Sequence, residues 1–334
     1  MITQLPATMC ALQLQGLNQL VQVRLPLPVL KADEVLIRTM ATTICTSDLH
    51  DIAQNPFGTV LPQVLGHEGA GIVVQCGADV NDLFPGMPVA THPVVPCGEC
   101  AECLRGFGHL CLRMGHLGID RSGTFAEYYV QRADRVRELP EEVSFSLGAL
   151  MEPVANCLQA ISRAGDIAGK DVLVVGDGPF GNIIARLAIR AGASRVMVTG
   201  KEPFRLGMIP GVEIVDNPAP ESVDVAILAV SSPSALQTCL SALRKRGRVV
   251  IFSLLQDPVP IDLFTLHVSE QEIVGCCNDE DKMDEALACL SDPALRLSDL
   301  VTHEVPFVQW AEAFHLAKDR HDLALKVAIT FSEI

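Results

Sequence analysis

Four cysteines at positions 97, 100, 103 and 111 follow the pattern C-x2-C-x2-C-x7-C in a segment punctuated by Pro96, Gly98, Gly106 and Gly108. Thiolates at such short spacing can close a tetrahedron around zinc, and four protein ligands leave no open position for chemistry. Cys97, Cys100, Cys103 and Cys111 are therefore expected to form a structural zinc site in a lobe of residues 96–112, with His109 a dispensable extra donor. A second group is dispersed: Cys45-Thr-Ser-Asp-Leu-His50, Gly66-His67-Glu68 and Met151-Glu152-Pro153 each hold a potential zinc ligand. A third pattern is Gly176-Asp-Gly178-Pro-Phe-Gly181, which follows the β-branched run 172–175 and opens an apolar stretch with helical spacing. In that context a G-x-G-x-x-G turn lets the backbone approach a pyrophosphate at a helix N-terminus. Gly176, Gly178, Pro179, Phe180 and Gly181 are expected to contact a dinucleotide.

The second half of that fingerprint is an acid about 20 residues on, where it binds the ribose 2′-hydroxyl. The run 195–199 ends instead at Gly200, followed by Lys201 and Arg205, with Glu202 as a competing acid. A missing carboxylate beside two cations suits a 2′-phosphate, because an acid there would repel it and Lys or Arg pairs with it. Gly200, Lys201 and Arg205 thus predict NADP(H) preferred over NAD(H).

These residues need elements to carry them. Strand-like runs at 172–175, 195–199, 223–230, 247–252 and 272–275, with helical spacing over 180–191 and 232–243, predict an α/β unit with a doubly wound parallel sheet. Before it, residues 1–153 are rich in Pro, Gly and short alternating runs, which predicts a mainly β domain. After it, 279–290 and 307–317 read as helices and 324–331 as a closing strand. Glu152, preceding Pro153, is biased towards an extended conformation and is expected at a strand-to-helix junction before a helix over 154–163.

Composition limits the alternatives. A chain of 334 residues is long enough for two or three domains, and 49% hydrophobic with 19% charged residues excludes a disordered polymer. A net charge of −15 disfavours nucleic acid and anionic membranes as partners, and no apolar run reaches membrane-spanning length. The first residues show no basic segment leading into an apolar one, so a cytoplasmic location is expected. The 12 cysteines then point to metal or catalysis rather than disulfides. Cys10, Cys76, Cys157, Cys239, Cys276, Cys277 and Cys289 read as packing residues, as do His92, His116 and His315.

Taken in order, the Cys45 motif, Gly66-His67-Glu68, the four-cysteine lobe, Gly123-Thr-Phe-Ala-Glu-Tyr128, Glu152-Pro153, the glycine turn and Leu300-Val-Thr-His303 resemble the zinc-dependent medium-chain dehydrogenase/reductase family, in its sorbitol and threonine dehydrogenase-like branch. The resemblance covers essentially the whole chain. It implies a GroES-like catalytic domain of residues 1–153 and 276–334, a Rossmann domain of residues 154–275, and an active site in the cleft between them. It implies Cys45, His67 and Glu152 as ligands of a catalytic zinc, with Glu68 either a ligand or just behind it. Ser47 matches the hydroxyl that takes the substrate proton, His50 the relay towards solvent, and Asp48 the carboxylate orienting a zinc-bound histidine. The implied activity is hydride transfer between a secondary alcohol, polyol or sugar alcohol-like, or its ketone, and NADP(H), in a homodimer or homotetramer. The alternatives are a threonine or amino-alcohol dehydrogenase, or a non-catalytic NADP(H)-binding redox sensor. Glu304 stands where the branch often has Arg, which argues against an anionic substrate.

Overall fold

A computed structural model describes residues 5–319 and 321–332; the outermost residues of the domain ranges expected above lie outside them. The chain forms two compact units. One runs through Glu152 and takes back Met283–Pro293 and the chain from Leu300 onward; the other comprises Pro153–Lys282 and Ala294–Asp299. No helix among the described residues is long and apolar enough to cross a membrane.

The first unit is built round the strand Glu34–Thr43. Nine of its ten residues are buried or nearly so, because sheet neighbours flank it on both edges: Glu68–Cys76 on one, Tyr128–Arg132 and Lys326–Thr330 on the other, all antiparallel. Thr43 lies opposite both Glu68 and Ala328. That register gathers residues distant in sequence at the end of one strand. A separate sheet orders Leu20–Pro26, Thr8–Leu14 and Gln63–Val64. Leu12, Leu14, Phe125, Phe314 and Ile329 share a core cluster beneath it. A two-residue pairing of Val94–Val95 with Gly115–His116 closes the base of the cysteine lobe.

The second unit is a six-stranded, wholly parallel sheet in the order Glu213–Ile214, Arg195–Thr199, Asp171–Val175, Val223–Leu228, Leu243–Ile251, Glu272–Gly275. Val172, Leu173, Val174 and Val175 are all buried, as expected of a strand covered on both faces. The expected helices are Pro179–Arg190 and Pro233–Ala242, each with proline in the first turn, where its missing N–H costs nothing. The short stretch after Gly200 holds a five-residue helix, Pro203–Gly207, and a two-residue strand.

The second unit extends beyond the expected residue 275, and specific bonds account for it. Arg163 Nε donates to the Gly275 carbonyl at 3.0 Å, and Gln159 Oε1 accepts the Glu280 N–H at 3.3 Å. Arg186, 2% exposed, donates to the carbonyls of Leu295, Arg296 and Met208 and to Asn182 Oδ1 at 2.7–2.9 Å. A buried guanidinium needs partners of this kind, and here they retain residues 294–299.

Candidate active site and its metal positions

Cys45 ends the run from Glu34–Thr43 and caps the helix Thr46–Gln54, its own N–H donating to Asp48 Oδ2 at 2.8 Å. The other oxygen of Asp48 lies 3.3 Å from His67 Nδ1. Asp48 therefore does two jobs: it closes the helix start and fixes the imidazole, leaving Nε2 as the nitrogen that can ligate. Ser47 Oγ is 3.3 Å from that Nε2. His50 lies one turn on from Ser47 and is exposed, so the two can share a face leading from buried to wet surroundings.

Ligand atoms of Cys45, His67 and Glu68 lie within 4.8 Å of one another, and all three residues are buried. Glu68 is fully buried and held by Lys326 Nζ at 2.6 Å and by the Thr43 hydroxyl. A charge at that depth persists only when paired, which the Thr43 register makes possible. Burial pulls the Lys326 ammonium down in pKa, but Glu68, with Cys45 and Glu152, outweighs it and raises the group. Lys326 was absent from the expected site. Its signal was a lone cation in the apolar run Ala324-Leu-Lys-Val-Ala-Ile.

Glu152 lies outside the 4.8 Å group and within the helix Met151–Ala164, itself preceded by the helical turn Phe145–Gly148. This corrects the expected strand-to-helix junction. In a first helical turn the N–H groups have no helical partner, so Pro153 fits and the bias it places on Glu152 is overridden. Glu152 is buried, and burial lifts its carboxyl to about 7 while His67 pulls it down and Glu68 pushes it up. Burial disfavours the His67 imidazolium, yet Asp48 overcomes that and raises its pKa well above normal. A thiol, an imidazole and several carboxylates buried together call for a cation, so the donor set fits a divalent metal.

His116, expected to be mere packing, has its ring 5.7 Å from that of His67. Its Nδ1 is 2.6 Å from the Leu117 carbonyl. Burial, then the neighbouring His67, pushes its pKa down to about 3, so it faces the cluster as a neutral imidazole. Glu304 is exposed on the strand Val301–Pro306, on the opposite face from buried Val305.

In the lobe, the Cys97 and Cys103 sulfurs are 4.0 Å apart and those of Cys100 and Cys111 3.8 Å. Sulfurs placed 2.3 Å from a tetrahedral zinc stand ~3.8 Å apart, so the four thiols already describe the metal's shell. Main-chain N–H groups of Cys97 and Arg113 approach the Cys111 sulfur at 3.3 Å, and those of Cys103 and Leu112 pull the Cys100 thiol down to about 6. His109 is not among these ligands.

The glycine turn joins Asp171–Val175 to the helix Pro179–Arg190, with Gly178 as its cap. A Cβ at Gly181 would come 2.0 Å from the Gly176 carbonyl, so only glycine lets helix and strand approach, whereas nothing lies within 4 Å of a Cβ at Gly178. That open side suits a pyrophosphate. The Phe180 ring packs at 5.2 Å from Phe252. Of the two expected cations, Lys201 is exposed, whereas Arg205 is 5% exposed on the short helix Pro203–Gly207.

Two family profiles match the chain: the alcohol dehydrogenase GroES-like domain over residues 31–141 and the zinc-binding dehydrogenase domain over residues 179–292. A sorbitol dehydrogenase from Bombyx mori is 30% identical over 95% of this chain and 97% of its own length. An L-threonine 3-dehydrogenase from Pyrococcus furiosus is 32% identical over 90% of this chain and 92% of its own. A zinc-binding dehydrogenase from Sinorhizobium meliloti, solved bound to NADP, superposes with a TM-score of 0.92 at 25% identity, covering 97% of this chain and all of that one.

Proposed function

The chain belongs to the zinc-dependent alcohol dehydrogenase family, an oxidoreductase built from a GroES-like and a Rossmann-type domain, and from that premise we propose that it interconverts a secondary alcohol of the polyol or sugar-alcohol class and its ketone with a nicotinamide dinucleotide. The observation that carries this is the convergence of Cys45, His67 and Glu68 within 4.8 Å, with Ser47 on His67. A zinc ion held there polarises an alcohol oxygen and lowers its pKa.

The chain's own groups divide the remaining work. Cys45 and His67 Nε2 hold the metal, and Asp48 keeps the imidazole in the ligating orientation. Glu68 has both carboxylate oxygens within 2.6 Å of Lys326 Nζ, which satisfies its charge. Glu152, buried at the start of its helix, is the third ligand that the family resemblance implies, with Glu68, already in the cluster, as the alternative. Ser47 takes the substrate's hydroxyl proton, and His50, exposed one turn on, releases it. His116, neutral beside the cluster, offers hydrogen bonds without charge, which suits hydroxyl groups, and no cation at position 304 invites a carboxylate.

Cys97, Cys100, Cys103 and Cys111 hold a second, structural zinc. A homodimer or homotetramer and a cytoplasmic location complete the proposal. The test is turnover of zinc-loaded protein on a panel of polyols, simple secondary alcohols, amino alcohols and threonine. Highest kcat/KM on polyols is expected; preference for threonine overturns the substrate class, and absence of turnover on the whole panel, with dinucleotide bound, favours a non-catalytic sensor.

A further inference from the structure

The dinucleotide fingerprint asks for an acid at the end of the second strand, and this chain has Gly200 there. The space is filled from elsewhere. A Cβ at Gly200 would lie 2.5 Å from both Cβ and Oδ2 of Asp177, the residue between the first two glycines of the turn. Asp177 Oδ2 accepts the backbone N–H of Lys201 at 2.5 Å and of Glu202 at 2.7 Å. Its Oδ1 makes no hydrogen bond among the described residues, and the side chain is only half-buried.

We propose that Asp177 is the ribose-binding acid of this chain, moved from the strand end to the glycine turn, and that it selects NAD(H) against NADP(H). The proposal rests on the dinucleotide reading above and deepens it. Glycine at 200 and aspartate at 177 are two halves of one exchange, since any side chain at 200 would displace the carboxylate. Oδ1 accepts from the adenosine ribose hydroxyls. A 2′-phosphate in the same place meets a fixed negative charge, and the two N–H groups best placed to receive its oxygens are already used by Oδ2. Of the two cations that favoured NADP(H), Arg205 is buried, with its carbonyl accepting from Asn182 Nδ2 at 3.2 Å, and Lys201 alone does not offset both the carboxylate and a phosphate carrying nearly two charges.

Equilibrium binding to the zinc-loaded full chain tests this by calorimetry, with ADP-ribose and its 2′-phosphate as probes, alongside kcat/KM for NAD and NADP. The wild-type protein is expected to bind ADP-ribose at least tenfold tighter than the 2′-phosphate. Asp177→Asn, which keeps an oxygen for the two N–H groups and loses the charge, is expected to narrow that ratio at least tenfold. Gly200→Ala, which pushes the carboxylate aside without touching it chemically, is expected to narrow it in the same direction. Equal or tighter binding of the 2′-phosphate by the wild type overturns the proposal, as does an Asp177→Asn variant that weakens both probes equally, which marks Asp177 as a staple of the turn only. Binding of neither probe by the wild type defeats the dinucleotide reading itself, a different result from either.

Discussion

The lobe draws four identical donors from fifteen consecutive residues, 97–111, whereas the cluster around Cys45 draws unlike donors and their supports from positions as far apart as 45 and 326. In the lobe every ligand is a thiol, the sulfurs sit at tetrahedral spacing and main-chain N–H groups stabilise them. Around Cys45 the clustered groups differ in kind, and two of them have a partner that decides their state: Asp48 for His67, Lys326 for Glu68. Four equal ligands make a knot. In the proposed reading, three unequal ones would leave a place to work.

Several measurements would break or sharpen that contrast. Removing metal with a strong chelator is expected to have the largest effect, and to have it in the lobe, because structural zinc sites contribute on the order of ten kcal/mol to local folding. Rapid protease cleavage within 97–111, with the Rossmann-type unit intact, is the expected result; an uncleaved lobe would show that packing alone holds it. Cys45→Ala should then lower kcat/KM about a thousandfold, or about 4 kcal/mol, with lobe zinc retained. Full turnover in that variant would end the distinction between an open and a closed centre. Lys326→Met leaves Glu68 buried beside no cation and should cost about 3–5 kcal/mol in denaturant unfolding, part of which the double variant Lys326→Met, Glu68→Leu restores. A single variant as stable as wild type would mean that Glu68 finds another cation, the bound metal included. Asp48→Asn is expected to weaken zinc at the Cys45 cluster about 10–100-fold while the lobe keeps its own, readable by competition with a chromogenic chelator. Equal losses from both centres would point to global loosening instead.

The same contrast explains what the sequence disclosed. The lobe and the glycine turn are short-range patterns whose chemistry depends on spacing alone, so Cys97 to Cys111 and Gly176 to Gly181 could be read directly. The alternation of strands and helices likewise announced the parallel sheet, with small shifts such as the strand beginning at Leu243 rather than 247. Lys326 and His116 escaped because their roles are set by sheet register and by the small Val94–Val95 pairing, neither of which leaves a local pattern. Arg205 shows the same limit: a cation near a strand end looks available in sequence, and only the structure shows that it lies on the buried side of its five-residue helix. Glu152 lies in a helix rather than at a strand-to-helix junction, since the proline that follows it restricts a helix interior far more than a first turn.

The bond between Lys326 and Glu68 spans 258 residues of chain. At a synthesis rate of roughly 5–20 residues per second, roughly 13 to 52 s pass between the two residues' incorporation. Throughout that interval Glu68 has no Lys326 to bury against and the strand Glu34–Thr43 has an open edge where Lys326–Thr330 will pair. The cluster around Cys45 therefore waits for Lys326 long after the lobe has all four of its thiols. In the proposed reading the lobe could take up metal while the Cys45 cluster still lacks the cation that holds Glu68, which would postpone reactive metal chemistry until the strand Lys326–Thr330 has been made.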